Sequence, residues 1–468
     1  MITFVLEVNS KIFVDFNDWE ASLLSNIDRG LKFGRSLGID ALELYLTNSR
    51  SLNIKIKSGM IDGTQGGNIG VGCRCVTGKK VGFASASGIT DTAVNFAVES
   101  AFKVSKTLTK EDERWTDFVQ TSEKGKDGRI DDSVLEISSE EVVNGANLIF
   151  KEAKEYDSRV LSMEGMITVG YGAFAVGNTE GLSKSSRTTF GLVQAEFVAV
   201  EDNKSKMGVN IEIGRGVPKF EGFGRSGAAK AVKFLDSIPL NQTGQMNVVF
   251  NNLAAAQLIW QGLFNSVNGQ SVVEGRSSFA KKINTQVGAP IITIYDDAQI
   301  PEDPNMVAID DEGYPHKKTL IMEKGVLKSF IFDHYYSQIC STENTGNAKR
   351  RGPQTYESLP FIAPTTISIV PGKKDLEGLT AEIENGILAT DLLMGMGHSD
   401  IISGDFSIVA PNCYKIENRE ITKPIEPITI AGNLYKAFNQ IIAISNETEL
   451  TPFGKIPSIA FEGFTVSG

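Results

Sequence analysis

Cysteine is scarce: Cys73, Cys75, Cys340 and Cys413 are the only four in a chain of 468 residues. Small secreted domains held by disulfides use it at far higher density, so a disulfide scaffold is excluded and a reducing compartment fits. Cys73 and Cys75 would share one face of a strand, but a structural zinc needs two further ligands, and buried strand cysteines are the expectation. Histidine is scarcer still, with His316, His334 and His398 alone. No run approaches the roughly 18 apolar residues of a membrane span, and the apolar start from Met1 to Leu6 is broken by Glu7 and lacks a basic leader. An excess of basic charge is also missing. With 46 Lys plus Arg against 57 Asp plus Glu, the net charge of -11 gives no electrostatic footprint for nucleic acid. We therefore expect a cytoplasmic protein that touches neither membrane nor nucleic acid directly.

What is present reads as α+β in two or three domains. In the first (residues 1–110), Leu23, Leu24, Ile27 and Leu31 recur at helical spacing from Asp18 to Leu37, and Gly38 follows as a stop. Leu42, Leu44 and Leu46, then Leu52, Ile54 and Ile56, alternate with polar residues and predict two strands around a turn at Asn48-Ser49. A loop over 63–68, a second strand pair around Thr77-Gly78 and a helix capped by Thr90 complete the order helix, four strands, helix. The charged segment Lys106 to Asp132 reads as a linker. A second domain (133–238) repeats that order. Ser138 and Glu141 form a capping box there, and strand-like runs follow at 160–169, 172–177, 188–200 and 207–213. A duplicated topology follows. The third domain (242–468) has a helix over 253–267, helical stretches at 379–387 and 433–442, and many short β-favouring runs that suggest a large antiparallel sheet or barrel.

The chemistry-capable side chains gather between Asp310 and Gly352. Asp310-Asp311-Glu312-Gly313-Tyr314-Pro315 is acidic, Glu323-Lys324-Gly325 is a hairpin turn, and Thr345-Gly346-Asn347-Ala348-Lys349-Arg350-Arg351 ends in two guanidinium groups able to clamp a carboxylate. The same side chains also suit an ion-pair network with no ligand. In this order the blocks resemble the TldD/PmbA (TldE) family, known as metallopeptidase subunits and as modulators of DNA gyrase. The resemblance continues through 401–406, 416–424 and 430–433.

TldD-type members carry His-Glu-x-x-x-His on the helix after the first strand of the C-terminal domain, where imidazoles bind zinc and the Glu serves as base. Aligned from Val248-Val249-Phe250, those positions hold Trp260, Gln261 and Asn265, none of which can do that work. The segment 447–457, where the family's Cys ligand falls, contains no Cys. The resemblance thus implies a TldE-like chain with no cofactor of its own and zinc in a TldD-like partner. It implies a dimer, with that partner or with itself, acting on unfolded or short peptides. Candidate substrate-binding residues are Asn347, Arg350, Arg351, His398, Asp310, Asp311 and Glu312. Two other readings stand beside it: a self-sufficient hydrolase with a metal on His316 and the neighbouring carboxylates, and a binding module acting on DNA gyrase.

Overall fold

The computed structural model describes residues 16–108 and 110–468. Helix α1 (Phe16–Ser36) buries Leu23, Ile27 and Leu31 as their spacing requires, each worth about 1.5–3 kcal/mol in area removed from water. Gly38 ends it with φ of 74°. The chain then departs from the expected pattern. Instead of two strands around Asn48-Ser49 there is one, β1 (Ala41–Lys57), and the expected loop over 63–68 lies inside β2 (Met60–Thr77). The reversal occurs at Ser58-Gly59, whose φ values of 49° and 85° suit a primed hairpin turn. Turn propensity lost because β1 is central, with β2 on one edge and a partner strand on the other along almost its whole length. The small residues are there for packing: a Cβ at Gly172 would lie 2.7 Å from that of Ser49, its register partner.

β3 (Lys80–Ser87) and α2 (Asp91–Thr107), capped by the Thr90 side chain, complete the first unit. A short α3 (Asp132–Glu136) precedes α4 (Ser139–Tyr156), which has the expected Ser138/Glu141 capping box. Then come β4 (Val160–Asn178), β5 (Ser183–Glu201), β6 (Lys204–Gly214) and α5 (Phe223–Lys233). Each unit is therefore helix, three strands, helix, with one strand fewer than the hydrophobic pattern suggests. The two share a single sheet of order β3-β2-β1-β4-β5-β6, symmetric about the β1/β4 pair. The segment between them is no solvated linker. Phe118 and Val119 are buried, Asn178 donates to the Val119 carbonyl at 2.9 Å, and the Gly128 N–H donates to Met306.

In the C-terminal half β7 (Thr243–Phe250) enters α6 (Asn252–Ser266) and a one-turn α7 (Gly269–Val273). Next are β8 (Ile294–Asp297), β9 (Lys318–Glu323), β10 (Val326–Leu327) and α8 (His334–Ile339). The ladder of β11 (Ala348–Lys349) with β12 (Phe361–Ile362) precedes β13 (Ile367–Ile369), α9 (Leu376–Thr380), β14 (Asn385–Thr390) and β15 (Asp405–Ala410). The chain ends through β16 (Asn412–Glu417), β17 (Glu420–Ile425), β18 (Ile428–Asn433), α10 (Leu434–Ala437), β19 (Ile441–Thr451) and β20 (Gly454–Ser467). The sheet is strand-rich as expected but mixed, since β7 runs parallel to β14 and β13 to β20. Two expected helices are shorter: 385–387 belongs to β14, and α10 gives way to a 3-10 turn and then to β19 at Ile441. The hairpin of β9 and β10 turns at Lys324-Gly325, with φ of 46° and 78°. Phe250, Phe461 and Phe464 meet in the sheet core with ring centroids 5.5–6.0 Å apart.

Candidate functional site

Helix α6 is positioned by its N-cap, Asn251, whose side-chain oxygen accepts the Ala254 N–H at 3.0 Å. It is buried on most sides, and Trp260, Gln261 and Asn265 all lie on it. Trp260 is half-buried where full burial is the expectation for a core ring. It stacks on Phe264 with centroids 4.7 Å apart and meets Phe453 edge-on at 6.3 Å. Phe453 sits in the turn between β19 and β20, within the segment where the family's cysteine falls. Asn265 is buried and committed: its amide donates to the Arg276 and Ile401 carbonyls at 3.1 and 3.2 Å and accepts from Ser271 at 2.6 Å. A cavity of about 40 Å³ adjoins Trp260, lined also by Asp303, Thr366 and Thr451. Burial pushes the Asp303 carboxyl above its ordinary range, and the Thr366 hydroxyl donates to it. One carboxylate beside two aromatic rings, Trp260 and Phe453, is no donor set for zinc. Among the described residues no three His, Cys, Asp or Glu side chains are grouped so as to hold a metal ion.

Trp260→Ala should cost about 2 kcal/mol, below the roughly 3–5 kcal/mol of fully buried aromatics, because part of the ring already meets solvent. A chemical denaturation curve that moves by less than about 0.5 kcal/mol would show the stack to be idle.

The acidic and basic blocks meet where the N-terminal sheet faces the C-terminal half. Asp310 ties down its own loop, accepting the N–H groups of Glu312 at 3.0 Å, Tyr314 at 2.9 Å and Ala348 at 3.1 Å. Burial, and then the Glu312 carboxylate, push its pKa well up. Asp311 accepts the Arg350 N–H at 2.6 Å. Glu312 accepts Arg74 Nη2 at 2.8 Å and the His334 N–H at 3.0 Å. Its burial raises the pKa, but Arg74 and the backbone donor outweigh that and hold it below the ordinary range. Arg74 also grips Glu43 with two bonds, of 2.8 and 2.7 Å. Arg350 joins from the opposite side, its Nη2 3.4 Å from Glu43 and its guanidinium 4.5 Å over the Tyr45 ring. The result is a buried chain of alternating charges, Arg350–Glu43–Arg74–Glu312. Gly70 and Gly72 let Tyr356 lie flat on β2 beside it, for a Cβ at Gly70 would fall 2.4 Å from the Tyr356 ring.

Thus Asp310, Asp311, Glu312 and Arg350 come together, but to hold one another and the backbone. Asn347 is buried too, donating to Asp296 and to the Ala363 carbonyl. Arg351 stays at the surface with its guanidinium 4.0 Å over the Phe361 ring, and His398 is exposed in a separate glycine loop. His316 is half-buried, its Nδ1 has no hydrogen-bond partner among the described residues, and burial together with the nearby Lys349 charge depresses its pKa to about 3. The carboxylates offered to it by the hydrolase reading are all engaged elsewhere. The pivots that sequence reasoning missed are Glu43 and Arg74. Each is a lone charge inside an apolar strand run, Leu42-Glu43-Leu44 and Cys73-Arg74-Cys75, and that shared oddity was the available signal.

Models of the PmbA/TldA metallopeptidase C-terminal domain and domain 1 match residues 243–468 and 42–105. The chain is 24% identical over 424 residues to a metalloprotease TldD homolog of Haemophilus influenzae, covering 88% of this chain and 86% of that one. It is 25% identical over 460 residues to a namesake in Buchnera aphidicola, covering 92% and 93%. The fold is that of TldE from Thermococcus kodakarensis, with TM-score 0.86, 24% identity and coverage of 95% and 100%. A Thermotoga maritima structure with the provisional description of a DNA gyrase modulator superposes with TM-score 0.85 at 24% identity over 95% and 99%. Two domain models and full-length relatives agree with the architecture, and the chain belongs to the TldD/PmbA family of metalloprotease-like proteins.

Proposed function

We propose that this chain is a TldE/PmbA-type subunit that carries no catalytic zinc and helps a TldD-type partner hold peptide substrate. One observation carries the reading: on α6, the helix where the resemblance places the zinc ligands, Trp260 stacks on Phe264 and meets Phe453 edge-on, and Asn265 is spent on backbone carbonyls. Neither group can bind zinc or activate water. Elemental analysis of the purified chain after zinc loading should find well under one zinc per chain. Peptide hydrolysis should arise only on mixing with a zinc-bearing TldD-type chain, together with a larger species in sedimentation. Stoichiometric zinc on the isolated chain, or equal hydrolysis without the partner, would overturn the proposal.

Within that assembly the exposed Arg351 and His398 are free to meet a peptide, while Asp310, Asp311, Glu312, Asn347 and Arg350 position the loop. Arg351→Glu should change stability by less than about 0.5 kcal/mol, as surface substitutions do, and raise the assembly's KM with kcat preserved. A loss of stability with unchanged KM would return Arg351 to a structural role.

A further inference from the structure

A groove of about 670 Å³ lies at the other end of β7 from α6. The distance along β20 from Gly454, beside Trp260, to Gly463, in this groove, is roughly 30 Å at strand rise. It is a separate place from the candidate site. Its origin is a mismatch of strand lengths. β7 starts at Thr243, but its parallel neighbour β14 first pairs with it at Gly386↔Asn247. Among the described residues the β14-facing edge of Thr243–Met246 is therefore without a strand partner, although the opposite edge is paired with β20 through Thr243↔Ser467 to Met246↔Phe464. The vacant stretch is about 13 Å long, room for four residues of extended chain.

The lining suits such a chain. Met246 and Ile387 give an apolar floor, and the amides of Gln242, Asn247 and Asn385 make no side-chain hydrogen bond among the described residues. Lys415 and Glu417 neutralise each other at 2.6 Å, which leaves Glu462 as the one lining charge without an ion-pair partner among the described residues. Unpaired strand backbone, free amides and little net charge match the needs of an uncharged extended peptide, whose own N–H and C=O groups must be paired and whose side chains alternate between floor and wall. The volume falls within the roughly 300–1,000 Å³ of ligand sites. We infer that this groove binds an extended, uncharged peptide segment as an added strand on the Thr243–Met246 edge of β7, in line with β14.

The probe is a fluorescein-labelled, end-blocked octapeptide of alternating Gln and Val, titrated into the full chain without any partner. Saturable binding is expected, with backbone amide exchange slowed at 243–246. Gln242→Ala/Asn385→Ala, which removes two exposed side chains, should weaken it at least fivefold with the unfolding transition unchanged. The same octapeptide with its interior amides N-methylated should bind at least tenfold more weakly, because strand addition needs those N–H groups. No binding, binding without protection at 243–246, or full binding by the methylated peptide would each overturn the inference. No hydrolysis is read and no partner is present, so such a failure leaves the proposed subunit role standing, and failure of that role leaves the groove untouched.

Discussion

Arg74→Ala is expected to destabilise the protein by roughly 3–5 kcal/mol, the cost of leaving a buried charge uncompensated. The side chain makes bonds of 2.7–2.8 Å to Glu43 and to Glu312, both almost without solvent access. Arg350 cannot take over, because its single contact to Glu43 is 3.4 Å long and its guanidinium is held over Tyr45. The whole wild-type network need not be worth that much, since desolvation of all four groups offsets most of their attraction. Two comparisons separate these ideas. Combining Arg74→Ala with Glu43→Gln and Glu312→Gln should recover part of the loss. The Arg74→Ala penalty should also shrink in acid. Glu312 has a folded pKa below its unfolded one, so its stabilising share is present above the unfolded pKa near 4.3 and is lost as pH falls through the folded value. Urea unfolding at pH 7 and pH 4 measures both. A loss below about 1 kcal/mol at pH 7 would mean that water reaches the pair.

The elements legible in the sequence are those whose determinants are local. The α1 stripe, the Thr90 cap, the Ser138/Glu141 box and the Lys324-Gly325 hairpin each depend on residues a few positions apart. The long strands were not legible, because their middles carry turn formers. Asn48 and Ser49 are extended because β4, far along the chain, pairs with one edge of β1 while β2 pairs with the other, and residues 63–68 are extended because they pair with β1. The candidate site divided in the same way. The positions on α6 could be named, but the role of Arg350 depends on Glu43, a residue 307 positions away. A charge inside an apolar strand signals a partner without saying which.

Asp333→Asn should stabilise the protein at pH 8 by about 2–3 kcal/mol and change little below pH 4. Asp333 caps α8, its carboxylate accepting the Tyr336 N–H at 2.8 Å. Capping alone would favour the charged form. Burial, and then the neighbouring Glu312 carboxylate, outweigh this and raise the pKa to about 7. The sign follows from linkage. With a folded pKa above the unfolded value of about 3.9, the native state bears no penalty while both states are protonated. The penalty grows as pH rises above 3.9 and is complete past 7, reaching at most about 4 kcal/mol for three pKa units. Coupling to Glu312 and Arg74 lowers the expected gain below that ceiling. Asparagine keeps the capping oxygen at nearly equal worth and removes the charge, so the substitution isolates the electrostatic cost. Paired denaturation curves from pH 4 to pH 8 should diverge progressively between those limits. Parallel curves, or destabilisation at pH 8, would show that the ionised carboxylate is needed at the junction, with Arg74 as its counter-charge.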